Sequence, residues 1–119
     1  MSIGKVLALP ESKMDAVTAV SGSGPAFIAL FAEAMISAGE SMGLTKDDAR
    51  LLAVQTLQGT AKLLETGMPP ERLREMVTSP GGTTAAGLKT FGEKGLKEIV
   101  AAALLSAKKR SEELGRREG

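Results

Sequence analysis

The stretch Pro25-Ala-Phe-Ile-Ala-Leu-Phe-Ala-Glu-Ala-Met-Ile-Ser-Ala-Gly-Glu-Ser-Met-Gly43 decides the fold class. Its residues Phe27, Phe31, Ala34, Met35, Ala38 and Met42 recur at three- and four-residue spacing, the period of one helix face. Ser23 or Gly24 can cap this helix, Pro25 fits its first turn where no N–H is needed, and Gly43 supplies the stop. A helix of about 18 residues spans about 27 Å, and its striped face predicts burial.

The same period continues on both sides. Upstream, residues 12–20 read as a short helix stopped by Ser21-Gly22-Ser23-Gly24. Downstream, Thr45-Lys46-Asp47-Asp48 resembles a capping box with aspartate for glutamate, and Asp47 and Asp48 suit the positive end of a helix. The helix it opens carries Ala49, Leu52, Ala53, Thr56, Leu57, Leu63 and Leu64 on one stripe and ends at Gly67. Pro69-Pro70-Glu71 begins a short helix to about Val77, another runs from about Gly82 to Glu93 before Gly95, and the last from Leu96 to about Leu114. Within that last helix, Ile99-Val-Ala-Ala-Ala-Leu-Leu-Ser-Ala107 is apolar almost all round, so more than one neighbour must cover it. The expected fold is all-α, a bundle of five to six helices with apolar area left over for a second chain. Residues 2–9 read as a short strand closed by Pro10. A lone strand is not stable, so residues 1–11 are expected to be the remnant of a sheet and 12–119 the helical domain.

Composition narrows the chemistry. The 119 residues contain no cysteine, histidine, tryptophan or tyrosine, which excludes a thiol nucleophile, a histidine base and a Cys/His zinc site. No metal site is expected. Fifteen basic against fourteen acidic residues leave a net charge of +1, so no field points to nucleic acid. The basic tail Lys108-Lys109-Arg110 and Arg116-Arg117 is interleaved with Glu112, Glu113 and Glu118 and reads as a solvated helix end. No apolar run is expected to reach the roughly 18–20 residues of a membrane span. The chain reads as soluble and cytoplasmic.

The loop Ser79-Pro80-Gly81-Gly82-Thr83-Thr84 stands immediately before a helix. Adjacent glycines let successive N–H groups converge, and a helix N-terminus offers unpaired donors with a partial positive charge. The loop therefore reads in two ways, as a Pro-Gly turn with a hydroxyl helix cap or as a cradle for a small anion. Gly22-x-Gly24 is not a dinucleotide fingerprint, because the third glycine would fall at Phe27. It reads as a tight turn, or as a turn with room for a flat cofactor ring. Among the lone acids Asp15, Glu33, Asp47 and Asp48, none makes an acid–base pair.

Asp15-Ala-Val-Thr-Ala-Val-Ser-Gly-Ser-Gly-Pro-Ala26, then Ala38-Gly and Met42-Gly-Leu44, then Val77-Thr-Ser-Pro-Gly-Gly-Thr-Thr-Ala-Ala-Gly-Leu88 resemble pyrroline-5-carboxylate reductase, in order and over essentially the whole chain. The resemblance implies the C-terminal helical domain of that family, similar in fold to the 6-phosphogluconate dehydrogenase C-terminal domain, which interlocks with its two-fold mate after an N-terminal Rossmann domain. Gly4-Lys-Val-Leu7 resembles the last strand of that Rossmann domain, which is expected to be absent here. The family reduces the C=N bond of 1-pyrroline-5-carboxylate to L-proline with hydride from NAD(P)H. By resemblance, Ser79, Gly81, Gly82, Thr83 and Thr84 hold the substrate carboxylate at the dimer interface, and the Thr84 hydroxyl bonds the ring nitrogen as the catalytic contact. Thr18, Ser21, Gly22, Ser23 and Gly24 line the nicotinamide side. The expected assembly is a homodimer, or a larger ring of dimers. The chain alone is expected neither to hold NAD(P)H tightly nor to turn over substrate. The alternatives are a non-catalytic dimerisation module and a related β-hydroxyacid-type dehydrogenase domain, in which Lys62 would be the acid–base.

Overall fold

The computed structural model describes residues 8–118, and every regular element among them is helical. A 3₁₀ turn Glu11–Lys13 leads into α1 (Met14–Val17) and a π turn Thr18–Gly22, followed by α2 (Gly24–Ser41), α3 (Lys46–Glu65), α4 (Pro70–Met76), α5 (Thr83–Lys94) and α6 (Leu96–Glu118). The strand expected over residues 2–9 falls mostly outside the described residues; Ala8 and Leu9, which are described, belong to no strand.

The helix boundaries follow local chemistry. Gly43, with φ 103°, takes the left-handed position after α2. There Leu44 N–H reaches the Gly39 carbonyl at 3.1 Å and Gly43 N–H the Glu40 carbonyl at 3.0 Å, the two bonds of a Schellman stop. Thr45 then caps α3 by accepting the Asp48 N–H at 3.1 Å. Pro70 opens α4, and Gly95 closes α5 with φ 75°.

One expected boundary is different. Ser21 to Gly24 does not stop the first helix as a separate turn. The helical path continues through it as a π turn, with Ser23 N–H bonding the Thr18 carbonyl at 2.9 Å, five residues back. Pro25 has no N–H for the Ser21 carbonyl, and a π turn absorbs that missing bond without ending the helix. Ser23 serves α2 through its main chain, its carbonyl accepting from Ala26 at 3.1 Å and Phe27 at 3.3 Å. The resulting run Glu11–Ser41 is, by length and composition alone, long and apolar enough to cross a membrane. That corrects the expectation that no run reaches such a length: continuity through the π turn joins two apolar segments.

The chain divides into two compact units, one formed by residues up to Phe27 with those from Lys97 on, the other by Ile28–Leu96. In the first, the Ser111 hydroxyl donates to Asp15 Oδ1 at 2.7 Å and ties α1 to α6. α6 carries the half-buried pair Lys108–Glu112 at 3.8 Å and the exposed pair Arg110–Glu113 at 3.0 Å. In the second unit, Phe31 on α2 and Phe91 on α5 meet with ring centroids 6.2 Å apart, within the favourable range for aromatic pairs. Tightest is the α2–α3 hairpin, where Gly39, Ala49 and Ala53 are buried. A Cβ on Gly39 would stand 3.1 Å from Ala49 Cβ and 3.4 Å from Leu44 Cδ1. Gly39→Val therefore overfills this crossing and is expected to destabilise by about 1–3 kcal/mol. The urea midpoint should fall accordingly; a midpoint equal to that of the parent would show that the hairpin can spread at no cost.

The apolar stripes are not covered among the described residues. Buried hydrophobic residues among those described are Ala19, Ala49 and Ala53, whereas Phe31 and Met35 are exposed and Met42 is 79% exposed. The burial expected for the α2 face does not occur in a single copy.

Candidate functional site

The loop between α4 and α5 is built from two hydrogen-bonded steps. Thr78 closes α4, its N–H reaching the Glu75 carbonyl at 3.2 Å and its hydroxyl donating to the Arg74 carbonyl. Residues 79–82 then form a β-turn in which Gly82 N–H donates to the Ser79 carbonyl at 3.0 Å. Pro80 and Gly81 occupy its corners, and φ of 73° at Gly81 matches the third position of a type II turn, where glycine is favoured. Gly82 is the N-cap of α5, extended at φ −86°, ψ −176°, and its carbonyl accepts the Ala86 N–H at 3.2 Å.

This register identifies the unpaired donors. The N–H of Gly82, expected to be among them, is taken up by the turn. The N–H groups of Thr83, Thr84 and Ala85 occupy the first three positions of α5, which have no intrahelical acceptor. No side chain caps them, in contrast to α3, where Thr45 does so. The turn of the plain structural reading is therefore present and its hydroxyl cap is not. Among the described residues, the hydroxyls of Ser79, Thr83 and Thr84 bond to no other protein group, whereas Thr78 and Thr90 bond back to helix carbonyls. Ser79, Thr83, Thr84 and the following N–H groups thus form one cluster at the positive end of a twelve-residue helix, chemistry suited to a carboxylate or similar small anion. Ala85 joins the free donors only once Gly82 is known to be the N-cap.

The second group of expected site residues lies in the other unit. Thr18 Oγ1 donates to the Met14 carbonyl at 3.0 Å and Ser21 Oγ to the Val17 carbonyl at 2.8 Å, leaving their oxygens able only to accept from outside. A Cβ at Gly22 would make ordinary contact with Thr18 Cγ2 at 3.5 Å, and one at Gly24 would meet nothing within 4 Å. The segment thus offers an open, small-residue backbone around Gly24, and Ser23 contributes its carbonyl to α2.

The remaining acids and the candidate lysine behave structurally. Asp47 and Asp48 sit in the first turn of α3, Asp15 accepts from Ser111, and Glu33 and Lys62 are exposed on their helices. Among the described residues no group of acids could hold a metal ion. Between α3 and α4 runs a groove of about 570 Å³ whose walls include Leu63, Leu64, Leu73 and Val77. On α6, Ile99 is 60% and Leu105 50% exposed.

Set against known proteins, residues 11–114 match the family model described as "Pyrroline-5-carboxylate reductase dimerisation". The chain is 45% identical to the pyrroline-5-carboxylate reductase of Synechocystis sp. over 98% of its own length and 44% of that protein, and 46% identical to that of Methanosarcina acetivorans over 98% and 43%. It therefore spans less than half the length of the curated relatives it matches. Among solved structures it resembles the Plasmodium falciparum pyrroline carboxylate reductase with NADP bound, at TM-score 0.89 and 34% identity, covering 94% of this chain and 45% of that one. The Coxiella burnetii pyrroline-5-carboxylate reductase is similar at TM-score 0.85 and 44% identity, over 90% of this chain and 40% of that one.

Proposed function

The chain belongs to the pyrroline-5-carboxylate reductase dimerisation family, and from that premise we propose that it supplies the dimer interface and the substrate-carboxylate loop of an NAD(P)H-dependent reductase that converts 1-pyrroline-5-carboxylate to L-proline. The observation that carries the site is the uncapped start of α5, where three N–H groups have no intrahelical acceptor. Among the described residues, the adjoining Ser79, Thr83 and Thr84 hydroxyls bond to no other protein group at this positive end of the helix dipole. Ser79 and the N–H groups of Thr83, Thr84 and Ala85 hold the carboxylate, while Gly81 and Gly82 shape the turn. The Thr84 hydroxyl bonds the ring nitrogen. With no histidine or cysteine in the chain, orientation of the substrate is the contribution these residues make.

NAD(P)H, when bound, supplies the hydride for the C=N carbon. The segment Thr18, Ser21, Gly22, Ser23 and Gly24 fits the flat face of a nicotinamide ring, because the space beside Gly24 is open and the neighbouring side chains are small. The Thr18 and Ser21 hydroxyls are already donating to helix carbonyls, so these two orient the ring only by accepting. For this chain by itself the proposal is weak cofactor affinity and no turnover.

The partner is a second copy of the chain, with rings of dimers as the further assembly, and the setting is the cytoplasm. Exposure of the apolar faces of α2 and α6 supports the dimer and accounts for the membrane-like composition of Glu11–Ser41.

The site is tested by titrating L-proline into ¹⁵N-labelled protein. The amide signals of Thr83, Thr84 and Ala85 are expected to move most, with that of Gly82 moving less because its proton is held by Ser79. Shifts confined to other segments at saturating L-proline would overturn the assignment.

A further inference from the structure

We propose that Gly82 is a positioning residue: the side chain it lacks is what allows the Ser79 hydroxyl to lie against the backbone at the mouth of α5. The inference rests on the carboxylate reading of the loop and adds to it the residue that sets one of its donors.

Two ordinary reasons for a glycine do not apply here. The backbone of Gly82, φ −86° and ψ −176°, is open to every residue, whereas Gly81 at φ 73° is left-handed. The Gly82 N–H donates to the Ser79 carbonyl, a bond that any residue except proline can make. What remains is space. A Cβ at Gly82 would stand 2.7 Å from Ser79 Oγ and 3.2 Å from the Ser79 carbonyl oxygen. Real carbon–oxygen contacts do not reach the first distance. The second is tight, and a small shift relieves it.

The nearer atom is the end of a rotatable side chain, so the collision has an inexpensive exit. Ser79 turns to another staggered χ1 rotamer, and the loop, its turn bond and α5 persist. The hydroxyl, however, leaves the place where it can add to the three N–H donors. Gly82→Ala is therefore expected to preserve the fold while removing the contribution of the Ser79 hydroxyl to anion binding.

The test compares Gly82→Ala, Ser79→Ala and the double variant in a full-length reductase carrying this loop, with Ser79 χ1 read from three-bond couplings in this chain. Both single variants are expected to raise KM for pyrroline-5-carboxylate and weaken L-proline binding about tenfold, as loss of a hydroxyl bond to a charged group does. The cofactor KM and the thermal midpoint should stay near those of the parent. The double variant should be no weaker than Ser79→Ala, since the hydroxyl can be lost only once. An effect of the double equal to the product of the singles, or an unchanged Ser79 χ1 in Gly82→Ala, would overturn the proposal. A rotated χ1 with L-proline binding unaffected in every variant would leave the positioning intact and remove the carboxylate role of Ser79.

Discussion

Sedimentation equilibrium of the purified chain is expected to return twice the 12.3 kDa chain mass, and Leu105→Asp to return it to a single chain. In one copy Leu105 is 50% exposed and Ile99 60%. A charge at position 105 therefore meets water in the monomer and disturbs little there. In a dimer that covers α6 it is an unpaired carboxylate among apolar side chains, a penalty of several kcal/mol. Each 1.4 kcal/mol is tenfold in dissociation constant, so the variant should weaken association by about 10²–10³-fold or more. Leu105→Ala, which removes apolar area without adding charge, should be milder. The unfolding midpoint of the parent should rise with protein concentration, since association stabilises the folded state by mass action. A cooperative, fully helical monomer at micromolar concentration for the unmutated chain would refute the dimer.

The same exposure explains which parts of the fold were legible. Helix ends are decided by residues close in sequence: Gly43, Gly67, Gly95, Thr45 and Pro70 fix their boundaries through local bonds, and each stands where its chemistry requires. The π turn at Thr18–Gly22 was not legible, because Gly22 and Gly24 suggest a stop equally well. The deciding factor is how Pro25's missing N–H is accommodated. Periodicity reports only that a face is apolar, not which chain covers it. Among the described residues the buried set is therefore Gly39 and three alanines. Asp15 and Ser111 lie 96 residues apart, so no local signal links them. In the loop, the glycine pair and the following helix were visible, but the identity of the free donors depended on a one-residue register. Because Gly82 closes the turn, the donors begin at Thr83 and extend to Ala85.

That register separates two substitutions in the loop by their effect on L-proline affinity. Gly82→Val places a branched Cβ where even a single carbon would lie 2.7 Å from Ser79 Oγ and 3.2 Å from its carbonyl. The extra methyls limit the rotations by which Ser79 could escape, so the Ser79–Gly82 turn itself must open. The donors of α5 then lose both the hydroxyl and the approach that the turn leaves clear. Affinity should fall by more than about tenfold, or 1.4 kcal/mol, while far-UV circular dichroism stays helical because α5 begins at Thr83. Thr84→Val keeps the N–H and the β-branched shape and removes only one hydroxyl bond, worth about 0.5–1.5 kcal/mol. Its expected loss is about two- to tenfold. Calorimetric titration of L-proline into a full-length reductase with this loop measures both. Parental affinity in both variants would return the loop to a plain turn before a helix, with the carboxylate held elsewhere.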